Sequence, residues 1–201
     1  MNLQDLRGWM KGEDCIVVGC GPSVSDKQFD GRRPWQTYEE HWTIACNRSV
    51  RFASPDFAVC MEPKREAECW GVVRAANPLV VFSHQPSSPR TAPRIVQIES
   101  RDVMQWLDPV APGETWEPLR ISQSPFYAIA LSAHLGFETI GVIGVDLTPD
   151  RFDQRALETS EKAYGRLRTV VEALGSRIVN LNPDSNLGAL EKGPWSEVKT
   201  K

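Results

Sequence analysis

Several features are missing from the sequence, and each absence excludes something. Positive charge is not in excess: 23 Lys and Arg stand against 26 Asp and Glu, a formal net charge of −3, which excludes a broad nucleic-acid-binding surface. No apolar run approaches the roughly 18 residues that a membrane span requires, so none is expected. The five cysteines, Cys15, Cys20, Cys46, Cys60 and Cys69, form no Cys-x-x-Cys pair and are odd in number. A disulfide scaffold is therefore excluded, as is a zinc site of the usual spacing. With no apolar leader after MNLQDLRGWM, a reduced cytoplasmic setting is expected. Histidine, the most common general base, occurs three times in 201 residues. Neither a Gly-x-Ser-x-Gly elbow nor a G-x-x-x-x-G-K-[ST] loop is present, which leaves hydrolase and P-loop readings without support.

Short, continuously apolar runs are plentiful. They fall at Cys15–Val18, Trp42–Cys46, Phe57–Met61, Leu79–Phe82, Arg94–Ile98, Thr139–Ile143 and Arg177–Leu181. Runs that do not alternate with polar residues suit strands covered on both faces, as in a parallel sheet. Between them, Leu157, Tyr164, Leu167, Val171 and Leu174 recur at helical steps from Gln154 to Leu174, and Gly175 supplies a stop. An Ala-rich segment from Ser124 to Leu135 reads as a second, almost wholly buried helix. This order of strands and helices predicts an α/β domain with a mainly parallel sheet of six to seven strands. The expected domain spans 1–192 and is followed by a flexible polar tail, 193–201. Residues 83–118 are dense in proline and carry Trp106 and Trp116; they read as a loop or lid over the domain or as a variable excursion.

In such a sheet the ligand crevice lies beyond the carboxyl ends of the strands, so the residues that follow each strand are the candidates. Gly19-Cys20-Gly21-Pro22-Ser23 follows the first. It allows close backbone approach to an anion, but a tight strand-to-helix turn explains it equally well, and Val24 stands where a third dinucleotide-type glycine would fall. Asn47 and Arg48 follow the second strand; Asn47 suits a base edge or a ribose, or simply a turn. Asp56 precedes the third strand and Glu62 follows it. Together with Asp146, after the sixth strand, they could hold hydroxyls or Mg²⁺. Ser122-Gln123-Ser124-Pro125 opens the Ala-rich helix as a cap or an anion site. His84 follows the fourth strand and, with Asp146, is the candidate proton acceptor. His134 reads as structural, and His41 belongs to the far edge.

The series Val18-Gly19-Cys20-Gly21-Pro22-Ser23, Cys46-Asn47-Arg48 with Pro55-Asp56-Phe57, Ser124-Pro125-Phe126-Tyr127 through Gly144-Val145-Asp146, and Asn180-Leu181-Asn182-Pro183 with Ser185 and Leu187 resembles the bacterial sialyltransferases that use CMP-activated sugars. It is also similar to the MptE-type, pterin pyrophosphokinase-like proteins, many of whose relatives are phage-encoded. The resemblance implies a single Rossmann-like, three-layer domain that binds a nucleotide or nucleotide-sugar, CMP-type favoured; the sequence itself leaves an oligomer open. Gly19–Ser23, Asn47, Ser122–Ser124 and Ser185 would contact the nucleotide. The activity implied is glycosyl transfer, with two alternatives: an Mg²⁺-dependent pyrophosphokinase, or an inactive nucleotide-binding accessory protein. The sialyltransferase histidine and the aromatic after Gly-x-Asp have no counterpart: Leu147 and Thr148 follow Asp146, and no histidine follows His134.

Overall fold

The computed structural model describes residues 3–26, 38–61, 70–73, 75–76, 78–83, 94–97, 124–150 and 152–201. Seven strands form one sheet: β1 (Cys15–Val18), β2 (Trp42–Cys46), β3 (Phe57–Cys60), β4 (Val80–Ser83), β5 (Arg94–Gln97), β6 (Thr139–Ile143) and β7 (Arg177–Asn180). Their order is β5-β4-β3-β2-β1-β6-β7, and every neighbouring pair is parallel. The chain steps outward from β1 through β5, then returns to the other side of β1 for β6. That reversal makes the carboxyl ends of β1 and β6 the switch point of the sheet, with the carboxyl end of β2 beside it.

The apolar runs lack alternation because both faces of the sheet are covered. Cys15 and Val17 of β1, Ile44 and Cys46 of β2, Phe57 and Val59 of β3, and Ile140 and Val142 of β6 all join one core. A short helix α1 (Ser23–Asp26) follows β1, and helices α2 (Ser124–Leu135) and α3 (Gln154–Ala173) close that core. The intervening residues face the other way, Ile16, Val18 and Ile143 into a second cluster and Ala45, Ala58, Cys60 and Val81 into a third with Trp70 and Val73. Three layers result, as expected. In α2, ten of the twelve residues are buried. α3 is amphipathic: Ala163, Tyr164, Leu167, Val170 and Val171 face the core, and its start is capped by Asp153, whose carboxylate accepts from the Ala156 N–H at 2.8 Å. Tyr164 is fully buried and meets Phe126 edge-on with ring centroids 5.8 Å apart. No helix among the described residues is long and apolar enough to cross a membrane.

Residues 193–201 do not form the frayed tail that their polarity suggested. Val198 is buried and packs over Gly141, where an added Cβ would stand 2.9 Å from Val198 Cγ2. Trp195 lies against Tyr38, with centroids 5.8 Å apart. The backbone N–H of Lys199 donates to Asp14 Oδ2 at 2.9 Å, and the other oxygen of that buried carboxylate accepts from the Thr139 N–H at 3.0 Å. The segment straps the amino edge of the sheet because two apolar anchors sit among charges that each find a partner. Most of the Pro-rich stretch 83–118, expected as a lid, lies outside the described residues; β5 crosses it.

Candidate functional site

The glycine loop after β1 is built to meet the loop after β6. A Cβ on Gly19 or Gly21 would collide with the carbonyl of Gly144, and one on Gly21 also with the Asp146 carboxylate. The loop amides point the same way: Gly19 N–H donates to Ile143 O at 2.7 Å, Gly21 N–H to Gly144 O at 2.8 Å and Ser23 N–H to Asp146 Oδ2 at 2.8 Å. The expectation that these amides face an anion therefore meets a physical obstacle, since all three already have acceptors inside the protein. Pro22 has no N–H to offer. Cys20 remains at the rim, its exposed thiol donating to Cys46 O at 3.2 Å.

Asp146 is buried and accepts three hydrogen bonds: the Ser23 amide, the Ser23 hydroxyl at 2.7 Å and the Asn182 amide at 2.7 Å. Ser23 Oγ in turn accepts from Gly144 N–H at 3.1 Å. Ser185, buried, donates to Val145 O at 2.8 Å and accepts from Leu187 N–H at 3.1 Å. Ser23, Asp146, Asn182 and Ser185 thus lock the loops after β1, β6 and β7 together. Asn182 was not a candidate on sequence, although it follows β7 by the rule that singled out the others. Ser49 was also missed; its hydroxyl lies 2.6 Å from Val18 O and accepts from Cys46 N–H at 2.8 Å, tying the ends of β1 and β2.

A different pair keeps unmet hydrogen-bonding capacity. Asn47 follows β2 directly in the left-handed conformation, with φ of 51°, which asparagine tolerates better than most residues. It is only 6% exposed. Its Nδ2 donates at 2.8 Å to the hydroxyl of Ser124, the fully buried first residue of α2. Its Oδ1 is buried without a partner among the described residues. Arg48 follows, exposed. The second left-handed residue that is not glycine, Leu147 with φ of 47°, follows β6 at the same edge, so both strained positions among the described residues sit at or beside the switch point.

Asp56 is elsewhere. It precedes β3, so it lies at the amino edge, where its carboxylate accepts from Thr43 N–H at 2.9 Å and pairs with Lys201 Nζ at 2.8 Å. Asp56 and Asp146 stand at opposite ends of a parallel sheet and do not fit a shared Mg²⁺ site. No group of three or more His, Cys, Asp or Glu among the described residues could hold a metal. Glu62, His84, Ser122 and Gln123 lie outside the described residues. His41 is at the amino edge, with Nδ1 2.9 Å from Lys199 O. His134 is at the end of α2, half-buried, with Nε2 3.1 Å from Leu3 O; burial holds its pKa below the ordinary histidine value. A separate cavity of about 500 Å³, lined by Val24, Val50, Arg51, Ala53, Val72 and Ala76 among others, contains none of the candidate residues that are described.

No protein-family model and no curated protein matches the chain. Solved structures do share the fold. The sialyltransferase CstII from Campylobacter jejuni, solved in complex with the substrate analogue CMP-3FNeuAc, is 16% identical over 90% of this chain and 86% of its own, with a TM-score of 0.56. The same enzyme in complex with a trisaccharide acceptor and CMP gives 14% identity, 90% and 86% coverage and a TM-score of 0.59. The MAf glycosyltransferase from Magnetospirillum magneticum AMB-1 is 13% identical over 99% of this chain and 38% of its own, with a TM-score of 0.61. The fold is thus an α/β fold of the kind found in these glycosyltransferases.

Proposed function

We propose that the chain binds a nucleotide or nucleotide-sugar, of CMP type, at the carboxyl edge of β1, β2 and β6, and that it acts as a glycosyltransferase-like transferase. The observation that carries this reading is Asn47: a buried amide at the carboxyl edge beside the switch point, held in a left-handed turn, with an acceptor oxygen that no group among the described residues meets. Buried polar atoms are nearly always paired, so one left unpaired at the edge where such sheets bind ligands is a candidate ligand contact. The likeness in fold to proteins solved with CMP and a CMP-sugar analogue points to the same ligand class.

In this reading the residues divide the work. Asn47 contacts the nucleotide, and Ser122 and Gln123, which precede α2 in sequence, are assigned to its phosphate or base. The Gly19–Ser23 loop forms one wall and Ser185 braces the far one. Asp146, with both oxygens already accepting, holds the loop in place. His84 is the proton acceptor for the incoming hydroxyl. Transfer then depends chiefly on positioning and charge stabilisation.

The test is a thermal-shift panel of CMP, UMP, AMP and a CMP-sugar, each with and without Mg²⁺. Ligand binding raises the melting temperature by mass action. A rise with CMP and the CMP-sugar that Asn47→Gly removes supports the reading. No rise with any nucleotide, or a rise that Asn47→Gly leaves unchanged, overturns it. Release of CMP from the CMP-sugar, lost in His84→Ala, then distinguishes a transferase from an accessory binding protein.

A further inference from the structure

We infer that the cavity of about 500 Å³ is a second ligand site, for a small zwitterion with an apolar body, the chemistry of an apolar α-amino acid. None of its described lining residues belongs to the proposed nucleotide site. The walls come from three connections on the face of the sheet opposite α2 and α3. Val24 belongs to α1, Val50 and Ala53 to the 3₁₀ turn Asn47–Arg51 and the residues after it, and Val72 and Ala76 to the helical stretch before β4. Protein interiors hold few voids larger than a water molecule, whereas small-molecule pockets of about 300–1,000 Å³ are mostly apolar with a few polar groups. Further observations separate this cavity from a gap in packing. Phe52, an aromatic ring left 43% exposed, is part of its lining. Val24 and Ala53 belong to one apolar cluster, and Val50 to another against which Val72 and Ala76 pack. Each cluster also holds a buried polar atom with no partner among the described residues, Tyr38 Oη in the first and Trp70 Nε1 in the second, although such atoms are nearly always paired. Arg51 and Glu39, both exposed, complete the lining, and neither forms an ion pair among the described residues. The ligand class follows from these charges. An ionised head is costly to bury alone, so the apolar body enters and the head stays with the two exposed side chains. A guanidinium only donates and a carboxylate only accepts; Arg51 therefore takes the ligand's carboxylate and Glu39 its ammonium. A simple anion would face the like charge of Glu39, and a simple cation that of Arg51.

Titration calorimetry of the full chain with L-phenylalanine, 3-phenylpropionate and 2-phenylethylamine tests this, because the three share one phenyl body and differ in the charge of the head. L-Phenylalanine should bind roughly threefold or more tightly than either of the others, the scale of one exposed ion pair. Arg51→Gln should bring its advantage over 2-phenylethylamine to within about twofold of unity, and Glu39→Gln should do the same for its advantage over 3-phenylpropionate. Ala76→Phe, which fills the cavity from a half-buried position, should weaken L-phenylalanine binding by about tenfold or more. Should Ala76→Phe fail to fold, the two charge variants, made at exposed positions, still decide. L-Phenylalanine that does not bind, that binds no better than the single-headed compounds, or that keeps its full affinity in a folded Ala76→Phe protein or its full advantage in the two charge variants overturns the inference. The nucleotide reading stands or falls separately, on the thermal-shift panel.

Discussion

The Asp146 carboxylate accepts from both the backbone N–H and the hydroxyl of Ser23, at 2.8 and 2.7 Å, across 123 residues of chain. With Asn182 as a third donor at 2.7 Å, this buried charge fastens the loops after three strands. Asp146→Ala leaves all three donors without an acceptor and should lower stability by about 3–5 kcal/mol. Asp146→Asn keeps one carbonyl oxygen and should cost less, about 1–3 kcal/mol. Urea denaturation midpoints check both. A midpoint for Asp146→Ala equal to that of the wild-type protein would show that the network does not hold the loops.

This role was only half legible in the sequence. The Gly144-Val145-Asp146 run after an apolar strand marks a carboxylate at the productive edge, but nothing local reveals that Ser23 and Asn182 already bond to it. Likewise, Gly19 and Gly21 signal close backbone approach, yet the pattern does not say whether a ligand or another loop approaches. Strand and helix positions were readable because each depends on its own period and caps: the Ser124–Leu135 helix lies where its Ala-rich composition and Gly136 put it. Asp56 and the terminal strap were not. Both depend on pairing between distant segments, Asp56 with Lys201 and Asp14 with Lys199, which no sequence window contains.

Glycine substitutions separate close approach from conformational need. Gly21→Ala drives a methyl group toward the Gly144 carbonyl, 2.8 Å from the added Cβ, and toward the Asp146 carboxylate. Backbone on one side and a pinned side chain on the other leave it little room to shift, so a loss of roughly 1–3 kcal/mol is expected. Gly71 is helical, exposed and has nothing within 4 Å of an added Cβ. Gly71→Ala should therefore be neutral or stabilise by about 0.5–1 kcal/mol. Comparable melting temperatures for the two variants would contradict the packing of the glycine loop.

The strap across the amino edge gives a graded pair. Val198→Ala removes buried methyl groups that pack on Gly141 and should cost roughly 1–3 kcal/mol at any ionic strength. Lys201→Ala loses an ion pair to Asp56 at 2.8 Å and a position 5.0 Å from the centre of the Trp42 ring. That pair is partly solvent-exposed, so its loss should cost under about 1 kcal/mol and shrink further in high salt. Denaturation in 0.05 and 1 M NaCl tests the contrast. A Val198→Ala effect that fades with salt, or a Lys201→Ala effect that does not, would show that the anchors are assigned the wrong way round.

His134 supplies a pH dependence whose sign is fixed by burial. Its folded-state pKa lies below the ordinary value of 6.5, chiefly because the half-buried ring is desolvated, with the Arg7 charge adding to the shift and the hydrogen bond to Leu3 O opposing it. Above pH 6.5 the ring is neutral in both folded and unfolded chains and contributes no slope. As the pH falls below 6.5, the unfolded chain takes up a proton that the folded chain resists, so stability declines until the folded-state pKa is passed. Other groups titrate in the same range, and a difference measurement removes them. Subtracting the urea-unfolding free energy of His134→Gln from that of the wild-type protein at each pH should give a value that is flat from pH 8 to about 6.5 and falls towards pH 5. A difference that stays flat would mean that folding leaves the imidazole's proton affinity unchanged, and one that rises with acidification would mean that the imidazole is stabilised as the cation at the end of α2, the helix-dipole outcome, its bond to the Leu3 carbonyl outweighing the cost of burial.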